Sequence, residues 1–370
     1  MFFTLEAKCG KARAATIQTV HGSIHTPIFM PVGTRASVKT MGQHDLEEIG
    51  AEIILGNTYH LLLRPGPQLV EQSFGSLHGF MNWQRPILTD SGGFQVYSLS
   101  KLSKVTPDGV IFKSHLDGKE YKIGPIESME IQRSLGADII MNFDECPSLP
   151  ATKEKLKQSM DLTLKWAQIC RDMKIRDYQK LFGIIQGGLH LDLRGECMEK
   201  LINMGFDGLA LGGLSVGEKN IEMQNFLTEF VHTMPEPMPR YLMGVGTPLD
   251  ILNGIKSGID MFDCVLPTRN ARNGQFLTHG GKLSIKKARF IEDKLPPDPK
   301  CACKVCKRYS RAYIRHLYTV GEYLAGQLIT YHNLYFYMNM VREVRMSILS
   351  NSFDEYYNNF YKSYQSCEWE

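Results

Sequence analysis

Short apolar runs rich in β-forming residues recur along the chain, and longer stretches with helical spacing separate several of them. Apolar runs of this length, bounded by turn signals, are typical of buried strands. Eight of them predict strands, at residues 27–32, 52–56, 86–90, 137–144, 181–187, 208–213, 240–246 and 260–266.

Amphipathic stretches between these runs predict helices at residues 153–173, 193–204, 221–234 and 248–258. Strands that alternate with helices through short connections build a parallel sheet. Eight such units fit a closed barrel better than an open sheet, and no G-x-G-x-x-G motif follows the first strand. The pattern therefore predicts an α/β fold, a (β/α)8 TIM barrel.

Two stretches do not follow the alternation of strands and helices, and they predict insertions in the barrel. Residues 97–123 contain extended segments and an Asp-Gly-Lys turn between the third and fourth strands. About 100 residues follow the eighth strand and end in a helical tail. We therefore expect a barrel with an extended insertion at residues 1–270, and a second unit, packed on the barrel, at residues 271–370.

Composition excludes several classes of protein. The 370 residues are 43% hydrophobic and 22% charged, which excludes a disordered chain, a collagen-like repeat and a small disulfide scaffold. The sequence has neither a run of 18 apolar residues nor a secretory signal pattern at its start. Six of the nine cysteines are scattered singly, as in proteins of a reducing compartment. We expect a cytoplasmic protein that does not bind membranes.

Polar residues and glycines follow the predicted strands, where TIM barrels place their active sites. Any single aspartate or glycine there is most often a turn residue or a helix cap. Asp263 is different because it lies inside the apolar run Met261–Leu266, and a buried carboxylate is costly unless it is paired or functional. The candidates at these strand ends are Asp90, Asp144, Gln186, Gly212, Gly213 and Asp263.

Two carboxylates at one site suit displacement at an anomeric carbon with retained configuration. One carboxylate attacks C1 and the other handles the proton of the leaving group. Asp144 and Gln186 together offer acceptors and donors that match a purine edge.

Three cysteines within six residues, Cys301, Cys303 and Cys306, predict a zinc site. A tetrahedral site needs a fourth ligand, for which the sequence offers His316, His332 and Cys367. We expect a structural Zn²⁺ ion, one per chain, so that the C-terminal unit is a zinc-binding subdomain.

A basic segment surrounds the cysteines. Residues 264–315 hold 13 lysines and arginines but three acidic residues, within a chain of net charge +3. This segment suits a polyanion, although a solubilising surface explains the charge alone equally well. Arg269, Arg272 and the basic run 282–315, interleaved with Phe276, Phe290, Tyr309 and Tyr313, predict an RNA-binding surface.

The chain resembles the bacterial tRNA-guanine transglycosylase (queuine tRNA-ribosyltransferase) family from about residue 27 to 335. The matching strings follow the family's order and spacing, and their number makes chance agreement implausible. They are PVGT, GNTYHL, LRPG, TDSGGFQV, FDEC, IIQGG, LGGLSVGE, YLMGVGTP, DMFDCVLPTRNARNGQ, CACKVC, SRAYIRHL and the pair His332-Asn333.

The resemblance implies a role for individual residues. Asp263 is the expected nucleophile and Asp90 the expected general acid/base. His332 completes the zinc site of Cys301, Cys303 and Cys306. The implied substrate-binding residues are Asp90, Ser91, Gly92, Gly93, Phe94, Asp144, Gln186, Gly212, Gly213, Leu214 and Met243. The implied RNA-binding residues are Gly244, Val245, Gly246, Thr247, Pro248, Leu249, Asp250, Thr268, Arg269, Asn270, Ala271 and Arg272.

The implied reaction exchanges guanine at the first anticodon position of tRNA-Asp, -Asn, -His and -Tyr for 7-aminomethyl-7-deazaguanine, in queuosine biosynthesis. It passes through a covalent Asp-ribose intermediate and recognises a U-G-U sequence in the anticodon loop. The family also implies a homodimer. Cys146 and Val216 match the bacterial branch, whereas Ala271 stands where the family often has glycine.

Two other functions remain as alternatives. A zinc-dependent RNA-binding protein without catalysis explains the basic segment and the cysteines, but not Asp263 in its apolar run. A retaining glycoside hydrolase explains the carboxylates, but neither the cysteines nor the basic segment, and the chain has three tryptophans to line a sugar cleft.

Overall fold

A parallel sheet closed into a barrel forms the centre of the computed structural model, which describes residues 1–95, 103–147 and 150–365. The strands are β1 (Phe3–Cys9), β2 (Ala12–Thr19), β3 (Gly22–Thr26), β4 (Ile28–Met30), β5 (Val32–Gly33), β6 (Ile54–Gly56), β7 (Ile87–Thr89), β8 (Lys104–Thr106), β9 (Gly109–Lys113), β10 (Glu120–Ile123), β11 (Ile139–Met141), β12 (Lys180–Ile185), β13 (Gly208–Leu211), β14 (Arg240–Leu242), β15 (Met261–Asp263), β16 (Gln275–Thr278) and β17 (Gly281–Ser284).

The barrel order is β4-β15-β14-β13-β12-β11-β7-β6-β5. Every pair in it is parallel. β4 and β5 are two segments of one strand, separated by Pro31, which has no N–H to donate. The carbonyl of Pro31 still accepts a hydrogen bond from Leu55 N–H at 3.0 Å, so the two segments close the barrel. Each of the eight predicted strands is confirmed, the first of them with this interruption.

An antiparallel sheet of β1, β2 and β3 precedes the barrel. Phe3, Ile17 and Ile24 of this sheet belong to the same buried apolar cluster as the inward-facing residues of the barrel strands. Because β3 leads directly into β4, the sheet packs against the amino-terminal end of the barrel and leaves the opposite end for the candidate site.

Helices surround the barrel. They are α1 (Gln43–Glu48), α2 (Thr58–Leu63), α3 (Pro67–Phe74), α4 (Leu77–Met81), α5 (Pro125–Leu135), α6 (Lys153–Asp172), α7 (Leu191–Met204), α8 (Asn220–Phe230), α9 (Pro248–Ser257), α10 (Leu266–Arg272), α11 (Lys304–Arg308), α12 (Arg311–Thr319), α13 (Tyr323–Leu349) and α14 (Phe353–Gln365), with 3-10 turns at Val231–Thr233 and Ala288–Phe290.

The four predicted helices are confirmed as α6, α7, α8 and α9. The predicted helix 221–234 is shorter as an α-helix, because α8 ends at Phe230 and the 3-10 turn Val231–Thr233 follows. Side-chain caps fix two of the starts: Thr152 accepts from Lys155 N–H before α6, and Thr247 accepts from Asp250 N–H before α9.

The predicted insertion contains the antiparallel strands β8, β9 and β10. Its Asp-Gly-Lys turn joins β9 to β10, where Ser114 N–H donates to the carbonyl of Lys119 at 2.8 Å. Residues 97–102 of the predicted extended segment lie outside the described residues. No helix in the described part of the chain is both long and apolar enough to span a membrane.

Candidate active site and metal centre

The alternation of side chains along the barrel strands brings the candidate residues to one end of the barrel interior. Successive side chains of a strand point to opposite faces, so a residue two positions after an inward-facing residue points inward as well. Five candidates follow a buried residue of the barrel interior by two positions: Asp90 after Leu88, Gln186 after Ile184, Gly212 after Ala210, Met243 after Tyr241 and Asp263 after Met261.

Asp90 is buried and its carboxylate has three donors. Oδ1 accepts from Thr58 N–H at 2.8 Å, while Oδ2 accepts from Asn57 Nδ2 at 2.5 Å and from Gln95 Nε2 at 3.0 Å. Burial raises the pKa of Asp90 to about 7, because the backbone donors offset only part of the lost hydration and Asp263 repels the ionised form. Asp90 can therefore both give and take a proton near neutral pH.

Asp263 is held through one oxygen. Its Oδ1 accepts from the hydroxyl of Tyr241 at 2.6 Å and from Gly244 N–H at 2.7 Å. Burial raises the pKa of Asp263, while these two donors lower it. Since both donors bind Oδ1, they stabilise the carboxylate, and no described residue donates to Oδ2. This arrangement suits a nucleophile that attacks through Oδ2.

Asp144 lies within a buried polar network between two strand ends. Its Oδ1 accepts from Ser91 Oγ at 3.0 Å and its Oδ2 from Gln186 Nε2 at 2.8 Å. Burial raises the pKa of Asp144 although both donors oppose the change. Asp144 lies three positions after the inward-facing Met141, so the alternation that places the other candidates does not predict its direction.

Two glycines allow the backbone to approach this network closely. A Cβ atom at Gly213 would lie 2.5 Å from Gln186 Oε1, and one at Gly93 would lie 2.7 Å from the carbonyl oxygen of Asp144. Gly213 also has a φ of 64°, in the left-handed region that favours glycine. A larger residue would displace the Gln186 side chain at position 213 or the backbone of Asp144 at position 93, which explains the residue type at both positions.

The remaining residues expected at the substrate have mixed exposure. Leu214 is buried, Met243 is half-buried and Phe94 is 45% exposed, so its ring is accessible at the barrel mouth.

The two segments expected to bind RNA, 244–250 and 268–272, differ in accessibility. Gly244, Arg269 and Arg272 are exposed, and Thr247, Leu249 and Asn270 are half-buried. The other members are buried, namely Val245, Gly246, Pro248, Asp250, Thr268 and Ala271. Asp250 accepts from Thr247 Oγ1 at 2.5 Å and from Asn220 Nδ2 at 2.6 Å, so its side chain holds the segment in place.

Cys301, Cys303, Cys306 and His332 form one buried cluster whose ligand atoms all lie within 4.8 Å of one another. His332 Nδ1 lies 3.5 Å from Cys303 Sγ and 3.3 Å from Cys306 Sγ. These separations match the edges of a tetrahedron built on Zn–S bonds of about 2.3 Å and Zn–N bonds of about 2.0 Å. The cluster can therefore bind one metal ion.

Residues behind this cluster connect it to the barrel. His332 Nε2 lies 2.9 Å from the carbonyl oxygen of Leu277, which leaves Nδ1 directed at the thiols. Asn333 donates to the carbonyl of Pro267 at 3.0 Å and accepts from Leu277 N–H at 2.9 Å. Pro267 lies in α10, directly after the strand that carries Asp263.

Part of the expected RNA-binding surface is buried, which corrects the sequence-based interpretation. Phe276 and Phe290 belong to the apolar core, so they cannot stack on bases. Arg311 is buried and pairs with Asp293 at 2.9 Å. Tyr313 is 42% exposed and stacks on Tyr309 with ring centroids 5.7 Å apart, so these two aromatics remain accessible.

The contacts of Asn57, Tyr241 and Arg194 were not predicted from sequence. Tyr241 had one usable signal, an inward-facing position on a predicted strand two residues before Met243. Asn57 directly follows β6, as Asp90 directly follows β7. Arg194 lies in a predicted helix, where an arginine normally faces solvent, yet it is fully buried.

Comparison with known proteins gives one result over nearly the whole chain. A family model described as Queuine tRNA-ribosyltransferase matches residues 8–366. The protein named queuine tRNA-ribosyltransferase from Caldanaerobacter subterraneus subsp. tengcongensis is 53% identical over 355 residues, which cover 96% of this chain and 94% of the relative. Those of Syntrophobacter fumaroxidans and Fusobacterium nucleatum subsp. nucleatum are 49% and 51% identical, and cover 98% of this chain and 97% and 98% of the relatives.

Proposed function

Because this chain belongs to the queuine tRNA-ribosyltransferase family and is a pentosyltransferase, we propose that it exchanges guanine at the first anticodon position of tRNA for 7-aminomethyl-7-deazaguanine. The substrates of this proposal are tRNA-Asp, -Asn, -His and -Tyr, whose modification leads to queuosine, and the reaction takes place in the cytoplasm. The observation that carries the proposal is the pair of carboxylates at one end of the barrel, Asp263 held through Oδ1 and Asp90 with a pKa of about 7.

The proposed reaction has two displacements at C1′ of the nucleotide. Oδ2 of Asp263 attacks C1′, the C1′–N9 bond breaks, and the departing guanine keeps the electron pair and takes a proton from Asp90. The incoming base then gives its N9 proton to Asp90 and attacks C1′, which releases the Asp263 carboxylate. Two inversions retain the configuration, and the reaction needs neither ATP nor a redox cofactor.

The base-binding proposal rests on the network around Asp144. A carboxylate between Ser91 and Gln186 can accept from the N1–H and 2-amino groups of guanine. Gly92, Gly93, Gly212, Gly213, Leu214 and Met243 would line the pocket, and Phe94 would stack on the base. The base must leave the anticodon loop to reach this depth, which costs least in a loop that is already single-stranded.

The RNA-binding proposal places the U-G-U sequence between segments 244–250 and 268–272. Arg269 and Arg272 support it, because both are exposed cations on α10, which begins three residues after Asp263. Phosphate contacts of this kind position the nucleic acid without reading its sequence. Gly244, whose N–H also binds Asp263, lies beside the proposed path of the RNA.

We further propose that the cluster of Cys301, Cys303, Cys306 and His332 holds a structural Zn²⁺ ion, one per chain. The donor set of three thiolates and one imidazole favours zinc, and no fifth position for a substrate is needed. The metal would stabilise a subdomain at residues 271–370 packed on a barrel at residues 1–270. Lys304 supports this packing, since its ammonium lies 2.8 Å from Asp45 and 2.6 Å from Glu48 of the barrel.

The homodimer is proposed to form through the same subdomain. Large apolar side chains are exposed there, among them Val320 and Tyr323, the latter 94% exposed. Exposed apolar groups that lie together commonly mark protein interfaces.

Incorporation of labelled guanine into unmodified tRNA tests the reaction. Wild-type protein should incorporate label without ATP, whereas Asp263→Ala and Asp263→Asn should lose incorporation, because neither side chain can form the covalent intermediate. Full activity of either variant would refute the covalent mechanism. Release of base with an abasic RNA product would indicate a hydrolase, and tRNA binding without exchange or release would indicate an RNA-binding protein.

A further inference from the structure

Arg194 connects the two strand ends that carry the base-binding residues. The side chain lies in the first turn of α7 and is fully buried. Its guanidinium donates to three backbone carbonyls: Nε to Gly188 at 2.8 Å, one terminal nitrogen to Ile185, and the other to Gly212 at 2.8 Å. Ile185 directly precedes Gln186 and Gly188 lies two positions after it, whereas Gly212 directly precedes Gly213.

Among the described residues the guanidinium has no carboxylate within salt-bridge distance, and besides the three carbonyls it contacts the ring of Phe226, whose centroid lies 5.3 Å from its central carbon. Burial lowers the pKa of Arg194 to about 10, so the side chain remains charged at neutral pH. A buried charge without an ionic partner is costly, and here three carbonyls supply the compensation.

The contact with Gly212 determines the direction of the next N–H group. In a trans peptide the C=O bond and the following N–H bond point in opposite directions. Because the carbonyl of Gly212 points at Arg194, the N–H of Gly213 points away from it. No described residue accepts a hydrogen bond from this N–H, although Gly213 lies against the amide of Gln186.

We propose that Arg194 is a positioning residue that directs the N–H of Gly213 at the 6-oxo group of the bound base. This inference rests on the proposed function, since it assumes a guanine-type base in the pocket. If Asp144 accepts from N1–H and the 2-amino group, the 6-oxo group is the next atom along the same edge of the base. The charge of Arg194 also polarises the Gly212–Gly213 peptide and makes its N–H a stronger donor.

The test compares the binding of two bases by two variants. Guanine has the 6-oxo acceptor, whereas 2-aminopurine has neither it nor N1–H. Arg194→Lys keeps the charge, but a lysine ammonium lacks the planar guanidinium whose separate nitrogens donate to three carbonyls. The matched control is Arg240→Lys, because Arg240 is also buried and bonds to the carbonyls of Met234 and Gly258, but at the amino-terminal end of the barrel.

Dissociation constants for both bases are measured by calorimetry with folded protein. We expect Arg194→Lys to weaken guanine binding about tenfold more than 2-aminopurine binding, the usual loss for one well-directed hydrogen bond. Arg240→Lys should leave the ratio of the two constants at the wild-type value. A general folding defect lowers the active fraction equally for both bases and leaves the ratio unchanged.

An unchanged ratio in Arg194→Lys would overturn the proposal and reduce Arg194 to a structural role. A ratio that changes equally in Arg240→Lys would also overturn it. Failure of the wild-type protein to bind guanine would instead contradict the proposed function, so the two failures are distinguishable.

Discussion

The raised pKa of Asp90 predicts that the two half-reactions depend on pH with opposite signs. Asp90 must be protonated to release guanine and ionised to accept the proton of the incoming base. With a pKa of about 7, about half of the enzyme carries the proton at pH 7, about a tenth at pH 8 and about a hundredth at pH 9. Guanine release should therefore slow about fivefold from pH 7 to pH 8 and about tenfold for each pH unit above that, while base incorporation should reach a plateau.

Single-turnover measurements separate the two steps. Excess enzyme is mixed with tRNA that contains labelled guanine to follow release, and the covalent complex is then mixed with labelled base to follow incorporation. The control is Asp90→Asn, which should still bind tRNA and react slowly in both steps. Its rates should no longer change with pH near pH 7. The reasoning is refuted if the rates of both half-reactions change with pH in the same direction, or if the rates of Asp90→Asn still change with pH near pH 7.

Two further predictions concern the metal centre and the RNA. Cys303→Ser should lose bound zinc and lower the melting temperature, because a structural site contributes to the free energy of folding; metal analysis by atomic absorption checks this, and an unchanged zinc content would contradict the ligand assignment. Arg269→Ala should weaken tRNA binding and reduce the slope of log affinity against log salt by about one, while guanine binding stays unchanged; a slope equal to that of wild type would exclude a phosphate contact.

The barrel could be predicted from sequence because its strands are buried on both faces and read as continuous apolar runs. The amino-terminal sheet was missed, since β1 and β2 contain alanines, threonines and charged residues that give no such run. The interruption at Pro31 was missed as well, because the apolar run 27–32 continues through it.

The candidate site was predictable one residue at a time, but its contacts were not. Asp263 stands out within an apolar run, whereas its donor Tyr241 is 22 positions away and becomes a neighbour only through the pairing of β14 with β15. For the basic segment, the composition could be read from the sequence but the exposure of individual residues could not. Phe276 lies opposite Leu283 in the β16–β17 hairpin, where both are buried, and composition cannot tell which face of a hairpin is covered.

Helix α13 has a consequence for the order of events during synthesis. Tyr337 of this helix donates to the carbonyl of Gly246 at 2.5 Å, Arg345 donates to the carbonyls of Ala15 and Thr26, and Asn333 bonds to Pro267. All barrel strands have left the ribosome once Asp263 has emerged, yet the helix that fastens both ends of the barrel follows about 60 residues later. At about 5–20 residues per second, the nascent barrel waits some seconds for this helix. Chaperones that shield apolar surface would act during this interval.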